Sequence, residues 1–502
     1  MHPRRLAARR LRDTSAEAAF LRPHPEQHSN GDETRYPKRI ANFSKGLSHN
    51  KLGEVEPGAY HAMVRALTST EPEHFEEIPL AGKRKLTSPQ AGLAFDLEGP
   101  DAQSLAIRPA PRFASAENAA EMVELYWMAL LRDVRFTDYE QESLASEAAK
   151  EVSGLTDFLG ARNPDGKVTP TTLFRGTSPG DEVGPYLSQF LLRDFKYGTL
   201  RVTNRQQTVQ PKVDYLTDYD AWLGAQNGAD QSGTDKIDTE TRRYIRNGRD
   251  LAHYVHFDQL YEAYLNACLY LLQNLEAPFD PGNPYSASKT QAPFATFGGP
   301  HILSLVTEVA TRALKAIWFQ KWVVHRRLRP EVFGGRIHNA KTNKADYPIH
   351  PQVLDSKALD RVFDATKHYL LPQAFPEGSP THPAYGAGHA TVAGACVTIL
   401  KAWFDESHPV ADPKVPNEDG TKLVNYTGKD KDSLTVGGEL NKVAANIAIG
   451  RNMGGVHWLT DYSESIRLGE RVALGLLEEQ RETYNEDAWF TVETFDGNPV
   501  TI

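Results

Sequence analysis

Apolar residues recur at helical spacing in several stretches of the chain. Between residues 122 and 130, apolar side chains fall at positions i, i+3, i+4, i+7 and i+8, which places them on one face of a helix. Ser115 precedes this stretch and has a side chain suited to a helix N-cap. Residues 257–272 repeat the pattern over four turns. The second stretch therefore predicts a long core helix, with Cys268 inside it as a small apolar residue.

Four further helices are predicted by the same periodicity and by the positions of proline. They should cover about 302–327, 389–403, 437–449 and 461–482. The first of them should stop before Pro330, because the residue that precedes a proline disfavours helical backbone angles. Residues 405–436 contain three prolines and an Asn-Glu-Asp-Gly sequence, which predicts a long excursion with one short hairpin.

These elements predict a mostly α protein built around a helical bundle, with minor β hairpins and no repeat of fixed period. Residues 1–60 are polar and carry no sustained period, so we expect an extended N-terminal arm. A polar, glycine-rich loop at 224–235 is the best candidate for a domain boundary. The predicted organisation is an arm (1–60), an N-terminal helical part (61–235), a helical core (236–485) and a C-terminal tail (486–502).

Composition and charge exclude several classes of protein. The 502 residues are 40% hydrophobic and 24% charged, as in ordinary globular chains. The net charge of −9 argues against a broad nucleic-acid surface, and no apolar stretch approaches the roughly 18 residues of a membrane helix. Only two cysteines are present, and the basic N-terminus lacks the apolar segment of a secretory signal. We therefore expect a soluble, cytoplasmic protein with neither a membrane nor a nucleic-acid partner.

Three polar segments lie where the predicted helices begin or end. The first carries Lys321 and Arg329, which are eight residues apart and followed by Pro330. Because eight residues are two helical turns plus a fraction, both cations can lie on one face at one end of the predicted helix, which suits a tetrahedral oxyanion. Basic residues at a helix C-terminus also interact favourably with the helix dipole, and for this segment alone that is the simpler interpretation.

The second segment runs from His382 to His389 and opens an apolar helix. Gly386 and Gly388 let the backbone approach a ligand closely, and the free N–H groups of a helix start favour an anion. His389 would lie at the positive end of the helix dipole, which favours its neutral form as a base. In isolation, a tight turn with a surface histidine is an equally good interpretation.

The third segment places Arg451, His457 and Asp461 at spacings of six and four residues. Asp461 can accept the proton of one ring nitrogen of His457, which leaves the other nitrogen as an electron-pair donor to a substrate atom or a metal centre. The conjunction of the three segments is more specific than any one of them.

Taken in order, the three segments resemble the signature shared by vanadium-dependent haloperoxidases and type-2 phosphatidic-acid phosphatases. That signature is a Lys followed by Arg-Pro, a Ser-Gly-His that opens a helix, and Arg-x5-His-x3-Asp. The Lys321 to Arg329 spacing, His382 seven positions before His389, and the large N-terminal half are most similar to the bromoperoxidases of red algae and cyanobacteria. The motifs span residues 321–461.

The resemblance implies a vanadium haloperoxidase-like helical bundle, a vanadate cofactor and a reaction with hydrogen peroxide. His457 would bind the vanadium atom. His389 would act as acid and base towards hydrogen peroxide, and Lys321 would polarise it. Halide would then be oxidised to hypohalous acid, which halogenates small organic nucleophiles. The groups that would neutralise the oxygens of vanadate are Lys321, Arg329, Arg451 and the backbone N–H of Gly388.

Three positions modify what the resemblance implies. His382 is similar to the residue of bromoperoxidases, whereas Trp318 is similar to that of chloroperoxidases. We therefore expect oxidation of bromide and iodide and leave chloride open; Trp318 is equally well explained as a core aromatic residue. Ala387 stands where the family carries Ser, which removes one hydroxyl contact and predicts weaker vanadate binding.

Two other functions stay open at the level of sequence. An acid phosphatase would use His457 as a phosphorylated nucleophile and His389 as the proton donor to the leaving alcohol. A non-catalytic helical scaffold would only store an anion in the cationic pocket. Relatives within the resembled family form dimers or dodecamers, so the resemblance also implies a homo-oligomer.

Two smaller expectations concern charged residues outside the motifs. We expect surface or subunit salt bridges from His325, Arg326 and Arg327. The acidic residues of the 405–436 excursion lack the spacing of a calcium-binding loop, so we assign no calcium there.

Overall fold

The computed structural model describes residues 2–502 and is mostly helical, which confirms the predicted fold class. The helices α1 to α17 span, in chain order, Pro3–Leu21, Asp32–Arg35, Pro57–Ser69, Pro72–Glu76, Ala116–Leu131, Ser143–Ser153, Gln189–Leu192, Tyr219–Gln226, Gly248–Phe257, Glu262–Tyr270, Gly299–Phe319, Pro330–Lys341, Pro351–Leu354, Lys357–Thr366, Gly388–Trp403, Val436–Met453 and Leu459–Arg481. The strands β1 to β8 span Phe195–Tyr197, Leu200–Val202, Gln206–Val209, Ile237–Arg243, Lys414–Pro416, Leu423–Asn425, Thr491–Glu493 and Pro499–Thr501. Successive strands pair two by two and antiparallel.

Helices α11, α15, α16 and α17 form the centre of the bundle. Helices α15 and α17 approach each other closely because each offers a glycine to the backbone of the other. A Cβ atom on Gly394 would lie 2.0 Å from the carbonyl oxygen of Ile466, and one on Gly469 would lie 2.0 Å from that of Thr391. The apolar helix predicted to start near residue 389 is therefore a central element, and its first turn carries the second polar segment.

The helix predicted over residues 257–272 is interrupted. Helix α9 ends at Phe257, an extended Asp258 caps it, and α10 begins only at Glu262. Phe257 is 57% exposed and Tyr261 is 40% exposed, so these two residues are not part of the core. Cys268 is fully buried, as predicted. The apolar period alone does not reveal the break, because it continues in phase across the turn.

The helix predicted over residues 302–327 is present, but its last part is π-helical. Helix α11 stops at Phe319, a π-helical turn covers Gln320–His325, and Arg326 has a left-handed backbone with φ 44°. Pro330 then occupies the first turn of α12, where its fixed φ angle is favourable. Lys321 and Arg329 therefore lie on two different elements, and the prediction that they share one helix face is wrong.

The N-terminal residues 3–21 form α1 rather than an extended segment, so the prediction of an extended arm is wrong for this part of 1–60. Alanine and arginine are strong helix formers, and Arg9 pairs with Asp13 one turn later at 3.3 Å. These local interactions favour a helix even though no buried apolar face selects one.

Other predicted elements agree with the structure. Helix α5 begins after Ser115, whose hydroxyl accepts the N–H of Asn118, and α16 and α17 lie where two helices were predicted. The 405–436 excursion holds the single predicted hairpin, β5 with β6. No helix within residues 2–502 has the length and apolar character needed to cross a bilayer. The domain boundaries at 60, 235 and 485 stay predictions.

Candidate active site

The three polar segments converge on one pocket of about 310 Å³. Its wall combines apolar side chains with residues from all three segments, although these segments are distant in the sequence. Of the residues predicted to be functional, those that line the pocket are Trp318, His382, Gly388, His389, Arg451 and His457. Lys321 and Arg329 lie fully buried directly behind this wall.

Lys321 and Arg329 hold the pocket histidines from behind. Nζ of Lys321 donates to Nδ1 of His382 at 2.9 Å, and Nη2 of Arg329 donates to the same nitrogen at 3.0 Å. Nη1 of Arg329 donates to Nε2 of His457 at 2.9 Å. Burial, followed by the neighbouring cations, lowers the pKa of both histidines well below the ordinary value. Both rings are therefore neutral and present a lone pair to these cations.

The cations of this cluster lack anionic partners. Lys321, Arg329 and Arg451 are all buried, and none of them forms an ion pair with a carboxylate among residues 2–502. Nη1 of Arg451 donates to the carbonyl oxygen of Val255, while its buried Nε has no protein partner. Burial lowers the pKa of Lys321 well below its usual value and that of Arg329 to about 9. Buried cations without counter-ions are costly, and an oxyanion among them would compensate that cost.

His457 has a fixed orientation and tautomer. Its Nδ1 donates to Oδ2 of Asp461 at 2.7 Å, and the same oxygen accepts the backbone N–H of Trp458 at 3.1 Å. Burial, partly offset by Arg327, raises the pKa of Asp461 to about 6. With its proton on Nδ1, His457 offers the lone pair of Nε2 towards the cation cluster.

Arg327 completes this arrangement from inside the protein, and sequence reasoning missed it. Its Nη1 donates to Oδ1 of Asp461 at 3.1 Å, and its Nη2 donates to Glu121 at 2.7 Å. The guanidinium group also lies over the ring of Trp458, 4.5 Å from its centroid. The prediction of a surface salt bridge is therefore wrong for Arg327, which is 3% exposed.

The two neighbours of Arg327 also bond within the chain. His325 is buried and hydrogen-bonds Gln320 at 3.2 Å, so its predicted surface position is wrong as well. Arg326 pairs with Glu33 and is mostly buried. The segment passes between packed helices after α11 ends, which explains why its charges are internal.

His389 lies on the first turn of α15 and faces a carboxylate that the sequence did not indicate. Its Nε2 donates to Oδ1 of Asp258 at 2.9 Å, and the Asp258 side chain is 3% exposed. Asp258 reaches this position because α9 ends there. A periodicity that predicts one continuous helix across residue 258 gives no signal for this pair.

The N-terminus of α15 offers backbone donors to the pocket. Ala387 at the N-cap provides no side-chain hydrogen bond, and the N–H groups of the first turn have no intrahelical acceptors. A Cβ atom on Gly388 would lie 3.0 Å from the ring of Trp318, so the glycine permits this close approach. The site therefore joins a positive helix end to the buried cations, an arrangement suited to an oxyanion.

One side of the pocket is apolar and aromatic. Trp318 lies beside His382 with ring centroids 4.9 Å apart, and Nζ of Lys321 is 4.8 Å from the Trp318 centroid. Phe375, His256 and Glu377 also line the pocket and were not singled out from the sequence; Nε2 of His256 and Oε1 of Glu377 are 2.8 Å apart. Trp318 is thus a pocket residue as well as a packing residue.

Comparison with known proteins agrees with this geometry. A family model described as the VCPO second helical-bundle domain matches residues 304–486, which include all three polar segments. The vanadium-dependent bromoperoxidase of Corallina officinalis is 40% identical to the chain, over 98% of the chain and 97% of that relative. The chain belongs to the vanadium-dependent haloperoxidase family. The resemblance predicted from the three segments is confirmed.

A further relative and a solved structure are also similar to this chain over most of its length. The vanadium-dependent bromoperoxidase of Ascophyllum nodosum is 35% identical over 92% of the chain and 86% of that relative. The solved homohexameric structure of the second vanadate-dependent bromoperoxidase from Ascophyllum nodosum superimposes with a TM-score of 0.94 at 30% identity, covering 99% of this chain and 90% of that one. The haloperoxidase fold therefore extends over the whole chain, including the N-terminal half that the motifs do not cover.

Proposed function

We propose that this chain is a vanadate-dependent haloperoxidase that uses hydrogen peroxide to oxidise bromide and iodide to hypohalous acid, which halogenates small organic nucleophiles. Relatives at 40% and 35% identity carry the name vanadium-dependent bromoperoxidase. The single observation that carries the proposal is the buried cluster of Lys321, Arg329 and Arg451, which has no ion-paired carboxylate among residues 2–502 and borders Nε2 of His457.

The residues present fit a vanadate ion. Vanadate is a tetrahedral oxyanion whose negative oxygens match three buried cations and the backbone N–H of Gly388. His457 is neutral and held through Nδ1. Its Nε2 accepts Nη1 of Arg329 in this structure, and it would become the ligand to vanadium when Arg329 turns to an oxygen of the bound anion. The donors proposed to hold the oxygens are Lys321, Arg329, Arg451 and Gly388.

The reaction divides between the cofactor and the chain. Bound vanadate supplies a Lewis acid that activates hydrogen peroxide towards attack by halide. His389 accepts a proton from incoming hydrogen peroxide at a ring nitrogen, and Asp258 orients the ring and stabilises the imidazolium that forms. Lys321 would donate a hydrogen bond to the peroxide oxygen and would stabilise the charge that develops on it. The neutral rings of His382 and Trp318 flank Lys321, and we assign halide selectivity to them.

The chain also assembles with copies of itself. The resemblance predicts a dimer or a dodecamer, whereas the solved Ascophyllum relative is a homohexamer. The molar mass in solution, measured by light scattering after size exclusion, distinguishes these three assemblies.

One experiment separates a haloperoxidase from an acid phosphatase. Metal-free protein is incubated with or without orthovanadate, then assayed for bromination of monochlorodimedone with peroxide and bromide, and for hydrolysis of p-nitrophenyl phosphate. We expect bromination only after vanadate addition. Phosphatase turnover without any vanadate-dependent bromination would overturn the proposal, and neither activity would favour an anion-storing scaffold.

A further inference from the structure

Helix α1 is the one long helix, among residues 2–502, that buries no residue. Its hydrogen bonds are internal to residues 2–22, and the first side chain after it that bonds the body of the protein is Gln27. Phe20 and Leu21 at its end are 87% and 67% exposed. Most helical stability in proteins comes from packing of one helix face, and this 19-residue helix lacks such packing within its own chain.

One face of α1 carries apolar and small residues at the spacing of a helix–helix contact, which we call the seam, and none of these residues is buried within the chain. Ala7, Leu11, Thr14, Ala18 and Leu21 follow one another at alternating spacings of four and three residues. This is the 3.5-residue period by which two helices pack along a common seam. Alanine and threonine at these positions allow the two backbones to approach closely.

Charges beside the seam select the orientation of a partner helix. Arg10 and Glu17 are seven residues apart, so they occupy the same position in successive seven-residue repeats. Both lie next to the seam, on the same side of it. In an antiparallel pair of identical helices, Arg10 of each copy faces Glu17 of the other, giving two salt bridges. The same arrangement sets Ala7 against Ala18 and Leu11 against Thr14. A parallel pair would instead set Arg10 against Ser15, which carries no charge.

The overall charge of α1 makes its local charge pairs important. Helix α1 carries five arginines against Asp13 and Glu17, a net charge of +3, so two such helices repel each other overall. The Arg10 to Glu17 pairs are the contacts that offset this repulsion, and they do so only in the antiparallel arrangement.

We propose that α1 is a subunit-association helix that forms an antiparallel pair with α1 of a second copy of this chain. Residues 22–26, with Pro23 and Pro25, form an exposed spacer between the helix and the body, and prolines make such a spacer semi-rigid, so it holds the helix out towards a partner. Because one pair of short helices is weak, the pair reinforces an assembly that other surfaces also hold together. The surface is distant from the peroxidase pocket in sequence, and its role is independent of the proposed reaction.

Cross-linking of the full-length protein tests the pairing and its direction. The native Cys268 and Cys396 are fully buried, so introduced thiols react selectively. The double variant Ala7→Cys/Ala18→Cys is treated with a short thiol-specific cross-linker and analysed on a denaturing gel. We expect a covalent dimer. Residues 7 and 18 of one helix are about 16 Å apart, so a link within one chain is too long to form.

The single variants and a matched control fix the orientation. Neither Ala7→Cys nor Ala18→Cys alone should cross-link, because in an antiparallel pair each position faces the other. The control Ala7→Cys/Ala16→Cys should also stay uncross-linked, since residue 16 lies on the opposite side of the helix. Absence of a covalent dimer in the double variant, or a dimer from either single variant, would overturn the proposal.

Charge reversal in the double-cysteine background tests the salt bridges. Adding Arg10→Glu puts two glutamates opposite each other at both ends of the pair, because residue 10 of each copy faces Glu17 of the other. The repulsion should slow cross-linking about tenfold. Adding Glu17→Arg to that variant should restore the rate, whereas the outward-facing Arg12→Glu should leave it unchanged. Equal slowing by Arg10→Glu and Arg12→Glu, or no rescue, would contradict the pairing. A monomeric wild type that binds anionic vesicles or DNA would show a different partner and overturn it.

Bromination separates this proposal from the proposed function. All of these variants lie outside the pocket and should retain vanadate-dependent bromination. If cross-linking fails while bromination persists, the pairing is wrong and the haloperoxidase assignment stands.

Discussion

At the scale of single residues, the site depends on side chains that never face the pocket. Arg327 bonds one oxygen of Asp461, and Asp461 holds the ring of His457 through the other. This chain of contacts keeps Asp461 as an acceptor despite its burial and leaves Nε2 of His457 unprotonated. Arg327 is therefore a positioning residue for the proposed vanadium ligand.

Substitution Arg327→Gln should weaken vanadate binding about 10- to 100-fold, because outer partners of a metal ligand contribute affinity of this order. Binding is measured by equilibrium dialysis with vanadium analysis, and the fold is checked by circular dichroism. The matched control is Arg326→Gln, which breaks a pair with Glu33 one residue away and should not alter affinity. An equal loss of vanadate affinity in folded Arg327→Gln and folded Arg326→Gln would argue against a specific role for Arg327.

The sequence identifies the residues that face the ligand but not those that support them. Lys321, His389 and His457 belong to a pattern with fixed spacings, which the local sequence displays directly. Asp258 and Arg327 acquire their partners through contacts between elements distant in the sequence, so no spacing reveals them. Arg327 even stands within the first motif, where its charge resembles that of an ordinary surface residue.

At the scale of elements, helix ends place the chemistry. Helix α15 begins at Gly388 beside the cation cluster, and Ala387 leaves its first turn without a side-chain cap. Arg329 precedes Pro330 at the start of α12, and Lys321 lies in the π-helical turn after α11. Periodicity located the helices well, yet the left-handed residue Arg326 ends the helical segment and puts the two cations on separate elements. Such a break depends on tertiary packing around Arg326, which the apolar period does not encode.

Substitution Ala387→Ser should tighten vanadate binding about fivefold, because a serine hydroxyl that donates to the oxyanion adds a hydrogen bond worth about 1 kcal/mol. The dissociation constant is measured by titrating orthovanadate into metal-free protein. As a control, Ala402→Ser makes the same change on the last turn of α15, where no effect on vanadate is expected. An unchanged constant for Ala387→Ser would show that the helix start does not contact the oxyanion.

Helix α5 carries a buried carboxyl that makes stability depend on pH. Burial, followed by the neighbouring Glu121, raises the pKa of Glu124 from 4.5 to about 8. Between these values the folded protein binds a proton that the unfolded chain has lost. The contribution of this group to the free energy of unfolding is therefore complete below pH 4.5. It falls by about 1.4 kcal/mol per pH unit between pH 4.5 and pH 8.

Glu124→Gln removes this titration, so the unfolding temperature of the variant should fall less than that of the wild type between pH 5 and pH 8. Differential scanning calorimetry at constant ionic strength measures the difference. Glu140→Gln, at an exposed position, serves as the control and should follow the wild type. Parallel curves for wild type and Glu124→Gln would contradict a neutral buried carboxyl.

At the scale of the whole molecule, an acidic protein encloses a positive pocket. The net charge of −9 excludes any explanation of Lys321, Arg329 and Arg451 as part of a generally basic surface. The bundle places the three segments from 321–461 around one cavity. The N-terminal half contacts these segments from the side away from the cavity; Glu121, for example, accepts a hydrogen bond from Arg327. The family resemblance covers this whole arrangement, from α1 to β8.

The central claim is that this pocket holds vanadate through His457, and vanadium content per chain tests it most directly. Wild type, His457→Ala and the pocket-wall control His256→Ala are loaded with orthovanadate, desalted, and analysed by inductively coupled plasma mass spectrometry. We expect near-stoichiometric vanadium in the wild type and in His256→Ala, and background levels in folded His457→Ala. Stoichiometric vanadium in His457→Ala would contradict the assignment of the ligand and of the site.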